Sequence, residues 1–535
     1  MPIARVPMRL SPRGSGSAVS VCVRTCARTR ARTRQCVSTV EPLETRRLFA
    51  TVSWDGGPGG TGFDWNTPVN WSNDTIPTAN DDVVISSASF GFVSVGSAPA
   101  ANVARSVNCA VTLRIESAGA LNISNASSVN NLFLAGAIGG SGDVTVSGLF
   151  TWIGGQMRGT GRLVLPALSI GTVNPGTGGA VTLARAIDNS GDLTLERGTF
   201  NMSFGASEVG TINNLAGGTF EVADVTGINS NVAGAAIHNA GQMIKSTTTT
   251  TIIQGSAGGG TLSLDNQAGG TVEIRQGALV FSLGGSFANA GATTLSTGTT
   301  LFVPTSLDGG GTLAVQDLGV VQVARLRQAS VTLNGGSSLT LPANGASSNV
   351  SVLGSLSMSN AASFDLNDND LMIDYPVAGP SPLAQVQTLI NTARGNGTWN
   401  GATGLKSTSA KNAAQHNVTL GAMEATDFKT LNGAAATFDG LPPLDNSAAL
   451  IKFTYYGDAN FSGRVTFDDY VRIDLGFGQH LTGWANGDFN GSGVVNFDDY
   501  VLIDTAFNTQ SATLGRAAAS LSNSGEGETP LRERL

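Results

Sequence analysis

One feature limits the folds open to this chain more than any other: a repeat with a period near 25 residues. Five segments share a pattern, namely Ile187-Asp188-Asn189-Ser190-Gly191, Ile212-Asn213-Asn214-Leu215-Ala216-Gly217, Ile237-His238-Asn239-Ala240-Gly241, Leu264-Asp265-Asn266-Gln267-Ala268-Gly269 and Phe287-Ala288-Asn289-Ala290-Gly291. Each reads apolar residue, variable residue, Asn, then Gly two or three positions later. A short alternating strand follows, as in Leu193-Thr194-Leu195, Phe220-Glu221-Val222 and Val272-Glu273-Ile274. The Asn-to-Asn spacings are 25, 25, 27 and 23 residues. A sustained period of this length marks a solenoid, whose units bury their inner faces only by stacking.

The expected fold is mainly β: a right-handed parallel β-helix over 101–375, followed by a small α-helical domain built on paired EF-hand-like loops. Alternate strand residues point inward, a buried Asn in the same place of every coil forms a ladder, and Gly supplies the positive-φ corner. Weaker strands at Val144–Val146, Leu163–Leu165, Leu313–Val315 and Leu339–Leu341 extend the pattern. Ten or so coils at ~4.8 Å each give a rod on the order of 50 Å long. The composition agrees, with 70 Gly among 535 residues and only 13% charged. An average soluble chain has ~7% Gly and ~25% charge.

Charge is unevenly placed. Residues 1–50 hold ten Arg against two Glu, while the whole chain carries −8, so the remainder is acidic. That balance excludes nucleic acid as a partner of the main body, since such binding needs a basic surface to release counterions. No run approaches the ~18 apolar residues of a transmembrane segment. Residues 1–50 read as a basic export or targeting leader. The segment Val40-Glu41-Pro42-Leu43-Glu44-Thr45-Arg46-Arg47-Leu48-Phe49-Ala50 resembles the LEPR-XLL-type N-terminal segment of planctomycete-type exported surface proteins. The resemblance implies export to the cell surface or the medium. Cys22, Cys26 and Cys36 sit in this leader without zinc-site spacing, and Cys109 reads as a small core residue.

Residues 51–100 carry Trp54, Trp65 and Trp71 among Gly, Pro and Asn. They read as an N-terminal cap whose rings cover the open end of the rod, similar to the opening segment of repetitive β-helical surface proteins. The same rings would suit a carbohydrate-stacking platform. His238 occupies the variable slot of its coil and is expected on an exposed turn. Some β-helices are polysaccharide lyases or hydrolases, which need an acid and a base or nucleophile facing one bond. The coils carry only isolated charges: Glu196, Arg197, Glu221, Lys245, Glu273 and Arg275.

Near residue 361 the composition changes. Asp365, Asp368, Asp370 and Asp374 fall within ten residues; they suit a final coil with a polar cap, or a cation. Residues 376–456 read as a capping and linking segment with one helix. Ser381 is its N-cap, Pro382 stands at N1, Leu383, Val386, Leu389 and Ile390 form its apolar stripe, and Gly395 stops it.

The sharpest motif is C-terminal and occurs twice, offset by thirty residues. Asp458, Asn460, Ser462, Arg464, Thr466 and Asp469 take positions 1, 3, 5, 7, 9 and 12 of one loop. Asp488, Asn490, Ser492, Val494, Asn496 and Asp499 take them in the other. Gly463 and Gly493 stand at position 6, and position 7 donates its backbone carbonyl. Hard oxygens at these offsets are the ligand pattern of a calcium loop, so two Ca²⁺ sites are expected. Val465 and Val495 at position 8 pair the loops. Ser at position 5 in place of a carboxylate weakens affinity. The duplicated loop, each followed by one helix, resembles a type I dockerin over 457–508. The resemblance implies two calcium ions, helices near Tyr470–Leu475 and Tyr500–Ala506, and a cohesin-like or cell-envelope partner read through loop positions 10 and 11. Those positions are Phe467-Asp468 and Phe497-Asp498, not the small hydroxyl pair of cellulosomal dockerins. Residues 509–535 read as a disordered tail.

The resulting expectation is a non-catalytic extracellular or cell-surface β-helical protein, adhesive, scaffolding or structural, with a calcium-folded docking module. The alternative is a secreted polysaccharide lyase or glycoside hydrolase carrying a dockerin. A polysaccharide is a further candidate ligand.

Overall fold

A computed structural model describes residues 22–26, 36–40, 50–97, 101–344, 350–441 and 445–514. The chain divides into two compact units, 1–50 and 51–535. In the first, Cys22–Cys26 and Cys36–Val40 pair as antiparallel strands. The leader's 41–49 segment and the tail from 515 onward lie outside the described residues.

The second unit is mainly β, a parallel β-solenoid of about 12 turns. Each turn contributes a short strand to each of three parallel sheets. In the first sheet the inward column reads Leu163, Ile187, Ile212, Ile237, Leu264, Phe287, Leu307 and Leu326, all in register and buried. The second sheet stacks Leu193, Phe220, Met243 and Val272. The third stacks Phe200, Ile228, Ile253 and Phe281. Inward residues alternate with outward ones as a pleated strand requires. Glu221 and Glu273 accordingly lie between buried neighbours and face out.

The repeated Asn ends each strand of the first sheet and is fully buried. Its amide donates to the next rung: Asn189 to Asn214 at 2.8 Å, Asn214 to Asn239 at 2.7 Å, Asn239 to Asn266 and Asn266 to Asn289 at 2.8 Å. Each amide also reaches a backbone carbonyl of a following coil, such as Thr219 or Thr271. The next register position is Gly309, which has no side chain, and Asn289 bonds instead to Gln328, one coil further on, at 2.7 Å. At the other end of the ladder the Asn189 oxygen has no partner.

Glycine at the corners answers two different demands. Gly217 and Gly269, three residues after the Asn, adopt φ of +87° and +88°, as expected. Gly191, Gly241 and Gly291, two residues after it, do not. A Cβ there would lie 2.4, 2.3 and 2.1 Å from the carbonyl oxygens of Ser169, Gly218 and Gly270 on the neighbouring coil. These short corners need glycine because adjacent coils approach too closely for a side chain.

The N-terminal end is closed by Trp54, Trp65 and Trp71. Trp71 meets both others edge to face at 4.8 Å and donates its indole N–H to the Trp65 carbonyl at 2.8 Å. At the other end the last coil strand, Leu371–Asp374, pairs antiparallel with Ala448–Tyr455, which pairs antiparallel with Val418–Glu424. This reversal ends the parallel stack on that face, while Gly404–Lys406 adds a last parallel strand beside Ser363–Asp365. The segment expected to hold one helix holds three: α1 Leu383–Arg394, α2 Thr408–Asn412 and α3 Ala425–Asn432. Helix α1 begins one residue later than expected, and the Ser381 hydroxyl accepts from the Leu383 amide at 3.1 Å. The two cap strands went unforeseen because they are buried on both faces and do not alternate.

Asp370 joins the interior of this cap. Its carboxylate accepts from the Phe453 amide at 2.8 Å and from Lys452 at 3.2 Å, while Asp439 takes Lys452 at 2.7 and 2.8 Å. Burial pushes the Asp370 carboxyl up, the Lys452 charge opposes that rise, and the two acids keep Lys452 protonated. The acid set apart for a polar cap or a cation is thus an internal partner of a lysine.

Candidate metal loops at the C-terminal end

Each loop is a tight turn leading into a helix, α4 Phe467–Gln479 and α5 Phe497–Thr509. Both helices are longer than expected. In the first loop Asp458 is fully buried, and its two oxygens accept the amides of Ser462 and Gly463, each at 2.8 Å. Asp488 accepts those of Ser492 and Gly493 at 2.9 and 2.8 Å. Asn460 and Asn490 each accept the amide of the following Ser, at 2.9 and 2.8 Å. Ser462 and Ser492 donate to the carbonyls of Arg464 and Val494 at 3.0 and 3.1 Å. Asp469 and Asp499 reach back to the amides of Ala459 and Phe489, both at 2.9 Å. The two loops share these five bonds one for one. Positions 4 and 6 are left-handed in both, with Phe461 and Gly463 at φ +61° and +82° and Gly491 and Gly493 at +66° and +85°.

Thr466 and Asn496 act here mainly as helix N-caps. The Thr466 amide and hydroxyl donate to Asp469 at 2.8 and 3.1 Å, and the Asn496 side chain accepts from the Asp498 amide at 2.7 Å. Position 9 of such loops commonly reaches its ion through a water molecule.

The carboxylates are crowded. Burial, then the charge of Asp458, pushes Asp469 up to about 7, and burial also raises Asp458. Burial and the neighbouring Asp488 raise Asp499. Backbone N–H bonds offset only part of this. Each loop supplies two carboxylates, one amide oxygen and one hydroxyl, all hard oxygen donors, and that donor set fits a calcium ion. Among the described residues no group of three or more His, Cys, Asp or Glu side chains converges on one point. Both loops fall outside such a count because half of their side-chain donors are uncharged.

Helices α4 and α5 cross-brace reciprocally. Tyr470 donates to Asp504 of α5 and Tyr500 to Asp474 of α4, each at 2.6 Å. Their outer surface is apolar: Phe467 and Phe497 are 79% and 74% exposed, and Val501, Phe507 and Phe477 lie open beside them. Phe467 and Phe497 are the position-10 residues singled out by sequence. The chain also stays ordered past its expected end. Gln510 exchanges two hydrogen bonds with the Val465 backbone, and the Leu514 amide donates to Gly463 at 2.9 Å. Residues 509–514 therefore belong to the folded end.

Elsewhere, the sugar platform does not form, because Trp65 and Trp71 are fully buried and Trp54 nearly so. His238 lies within the strand Ala235–Asn239, not on a turn, with its ring facing out 3.3 Å from Asp265. Solenoid charges are matched across coils, as in Arg162 with Asp188, Arg325 with Asp308 and Arg105 with Asp82. A groove of about 410 Å³ is lined by Ala120, Ala137 and Gly139. On its rim Arg158 stacks on Phe204 and forms two bonds to Glu208, at 3.0 and 2.6 Å. A cleft of about 470 Å³ at the joint with the cap holds Asp374, Asp445 and Tyr375, with Asp374 raised by burial and by Asp445. Lys245, one of the isolated coil charges, takes the inward position that Val222 and Ile274 hold in adjacent coils. Its ammonium bonds the Thr247 carbonyl at 2.6 Å and the Ala223 carbonyl at 3.2 Å, and burial lowers it to about 8. Among the described residues, no helix is long and apolar enough to cross a membrane.

The fold and loops together define a parallel β-solenoid closed by a duplicated loop–helix pair. No family model, curated protein or solved structure matches the chain.

Proposed function

We propose that the chain is a non-catalytic exported protein, adhesive, scaffolding or structural, whose C-terminal loops bind two calcium ions and whose helix pair docks a protein partner. The observation that carries this is the set of five hydrogen bonds that recurs at the same positions of the two oxygen-lined loops. Asp458, Asn460, Ser462, the Arg464 carbonyl and Asp469 would hold one ion. Asp488, Asn490, Ser492, the Val494 carbonyl and Asp499 would hold the other, with Thr466 and Asn496 behind a water. Calcium there supplies positive charge that lets the buried carboxylates stay ionised at neutral pH. The dockerin resemblance and the exposed Phe467–Phe497 face support a cohesin-like or cell-envelope partner. The leader's resemblance to exported surface proteins supports a cell-surface or extracellular site. Titration calorimetry of the full chain is expected to give about two calcium ions per molecule; no binding at millimolar calcium rejects the reading.

A second reading, a polysaccharide lyase or glycoside hydrolase, is favoured by one observation: the Asp374–Asp445 cleft. New reducing ends or unsaturated products from pectin, alginate or xylan, abolished by Asp374→Asn, would establish it.

A further inference from the structure

The loops do not hang from the solenoid on a tether; they are bonded into its closure. Helix α1 holds the second loop from outside. Asn391 donates to the Gly491 carbonyl at 2.7 Å, and Arg394 donates to the Asn490 carbonyl at 3.3 Å. Both donors are themselves oriented: Gln387 bonds the Asn391 side chain at 2.9 Å, and Arg394 donates to the Tyr456 hydroxyl at 2.8 Å. The approach is close enough that a Cβ on Gly491 would lie 2.2 Å from Gln387.

The first loop is tied just as directly. The Asp458 carboxylate accepts from Thr454, which lies on the strand that pairs with the last coil. The Asp458 carbonyl accepts from the Trp484 indole at 2.8 Å, and the Asn460 carbonyl accepts from Asn432 of α3 at 2.9 Å. Phe461 at position 4 packs among Phe428, Phe438 and Trp484.

We infer that calcium binding and closure of the solenoid's C-terminal end are one linked equilibrium, and that Asn391 and Arg394 are positioning residues for the second ion. This rests on the calcium reading above. The physical reason is pre-organisation. Fixing the carbonyls of Asn490 and Gly491 fixes the backbone at positions 3 and 4, and so sets where the Asn490 oxygen points before an ion arrives. A loop already ordered by the cap loses less entropy on binding. Linkage makes the effect mutual: whatever factor the cap adds to calcium affinity, calcium returns to the ordering of the cap.

The test uses the full chain, with calcium itself as the probe. Calorimetric titration of the double variant Asn391→Ala/Arg394→Met is expected to weaken one of the two sites by about tenfold and leave the other in place. A general loss of folding would move both. Gln387→Ala, which only releases the Asn391 side chain, is expected to fall between the variant and the parent. Hydrogen exchange of the parent, with and without calcium, is expected to show slowing in Leu383–Arg394 and Leu371–Asp374 as well as in the loops. Two calcium sites of unchanged affinity in the double variant would overturn the inference, as would slowing confined to 458–509. Absence of calcium binding altogether would remove the underlying reading, an outcome distinct from both.

Discussion

The solenoid body and its C-terminal end both bury side-chain oxygens, and they satisfy them in opposite ways. In the body, every ladder Asn oxygen except that of Asn189 is met by the amide of an identical residue one coil away, so donor and acceptor come from the same residue type repeated. The ladder is neutral and needs nothing from outside. In the end, Asp458, Asp469, Asp488 and Asp499 are met by backbone amides of their own loops, which leaves the charge in place. The difference teaches that translation along an axis satisfies neutral groups, whereas the duplicated loops concentrate charge that their own amides do not remove.

Four measurements would break or sharpen this comparison, the largest effect first. Removing calcium with a chelator should destabilise the end selectively. Two sites, each at a hundredfold its Kd, supply about 5 kcal/mol. Thermal unfolding followed by the near-ultraviolet signal of Trp484 and Tyr500 is expected to split into an early chelator-sensitive step and a late insensitive one. A single transition that shifts as a whole would erase the distinction between the regions.

Trp71→Ala should cost ~3–5 kcal/mol at the opposite end. Hydrogen exchange is expected to quicken in Asp81–Ile85 with no change in α4 or α5. Asn239→Ala removes a rung with ladder bonds on both sides and should cost ~1–3 kcal/mol in denaturant unfolding. Asn189→Ala should cost less, because the Asn189 oxygen accepts nothing. Equal costs would mean the ladder contributes little beyond filling space.

The smallest effect concerns Lys245. Its folded-state value of about 8 lies below the 10.5 of an unburied lysine. Between those values the unfolded chain binds more protons than the folded one, so stability should rise as pH rises from 8 toward 10.5. Lys245→Met should flatten that rise and increase stability at pH 7. A steeper rise in the variant would contradict the assigned burial.

The period and the Asn pattern made the body legible, because each coil repeats the same physical problem and solutions recur at fixed spacing. The paired C-terminal loops were legible for a related reason: their oxygen-bearing residues are local, and the hydrogen bonds within each loop run between residues two to ten apart. What escaped were features set by distant partners. Lys245 reads as a surface charge by itself and is seen as internal only once its coil is aligned with Val222 and Ile274. The cap strands Val418–Glu424 and Ala448–Tyr455 lack alternation, because one side meets helices and the other the aromatic cluster around Phe461 and Trp484. The contact between Asn391 and Gly491 joins residues a hundred positions apart, and no local pattern announces it.

The missing rung at Gly309 has a further consequence. A stack of near-identical coils invites error, since a coil can be skipped, or borrowed from a second chain, with most of its contacts reproduced. A uniform ladder would accept such substitutions almost without loss. Here the long side chain of Gln328 reaches Asn289 past a bare glycine, and the ladder continues beyond Asn289 across that gap. A slipped chain would set an Asn against the gap or leave Gln328 no room, so the break works as a counting mark that tells one otherwise interchangeable coil from the rest.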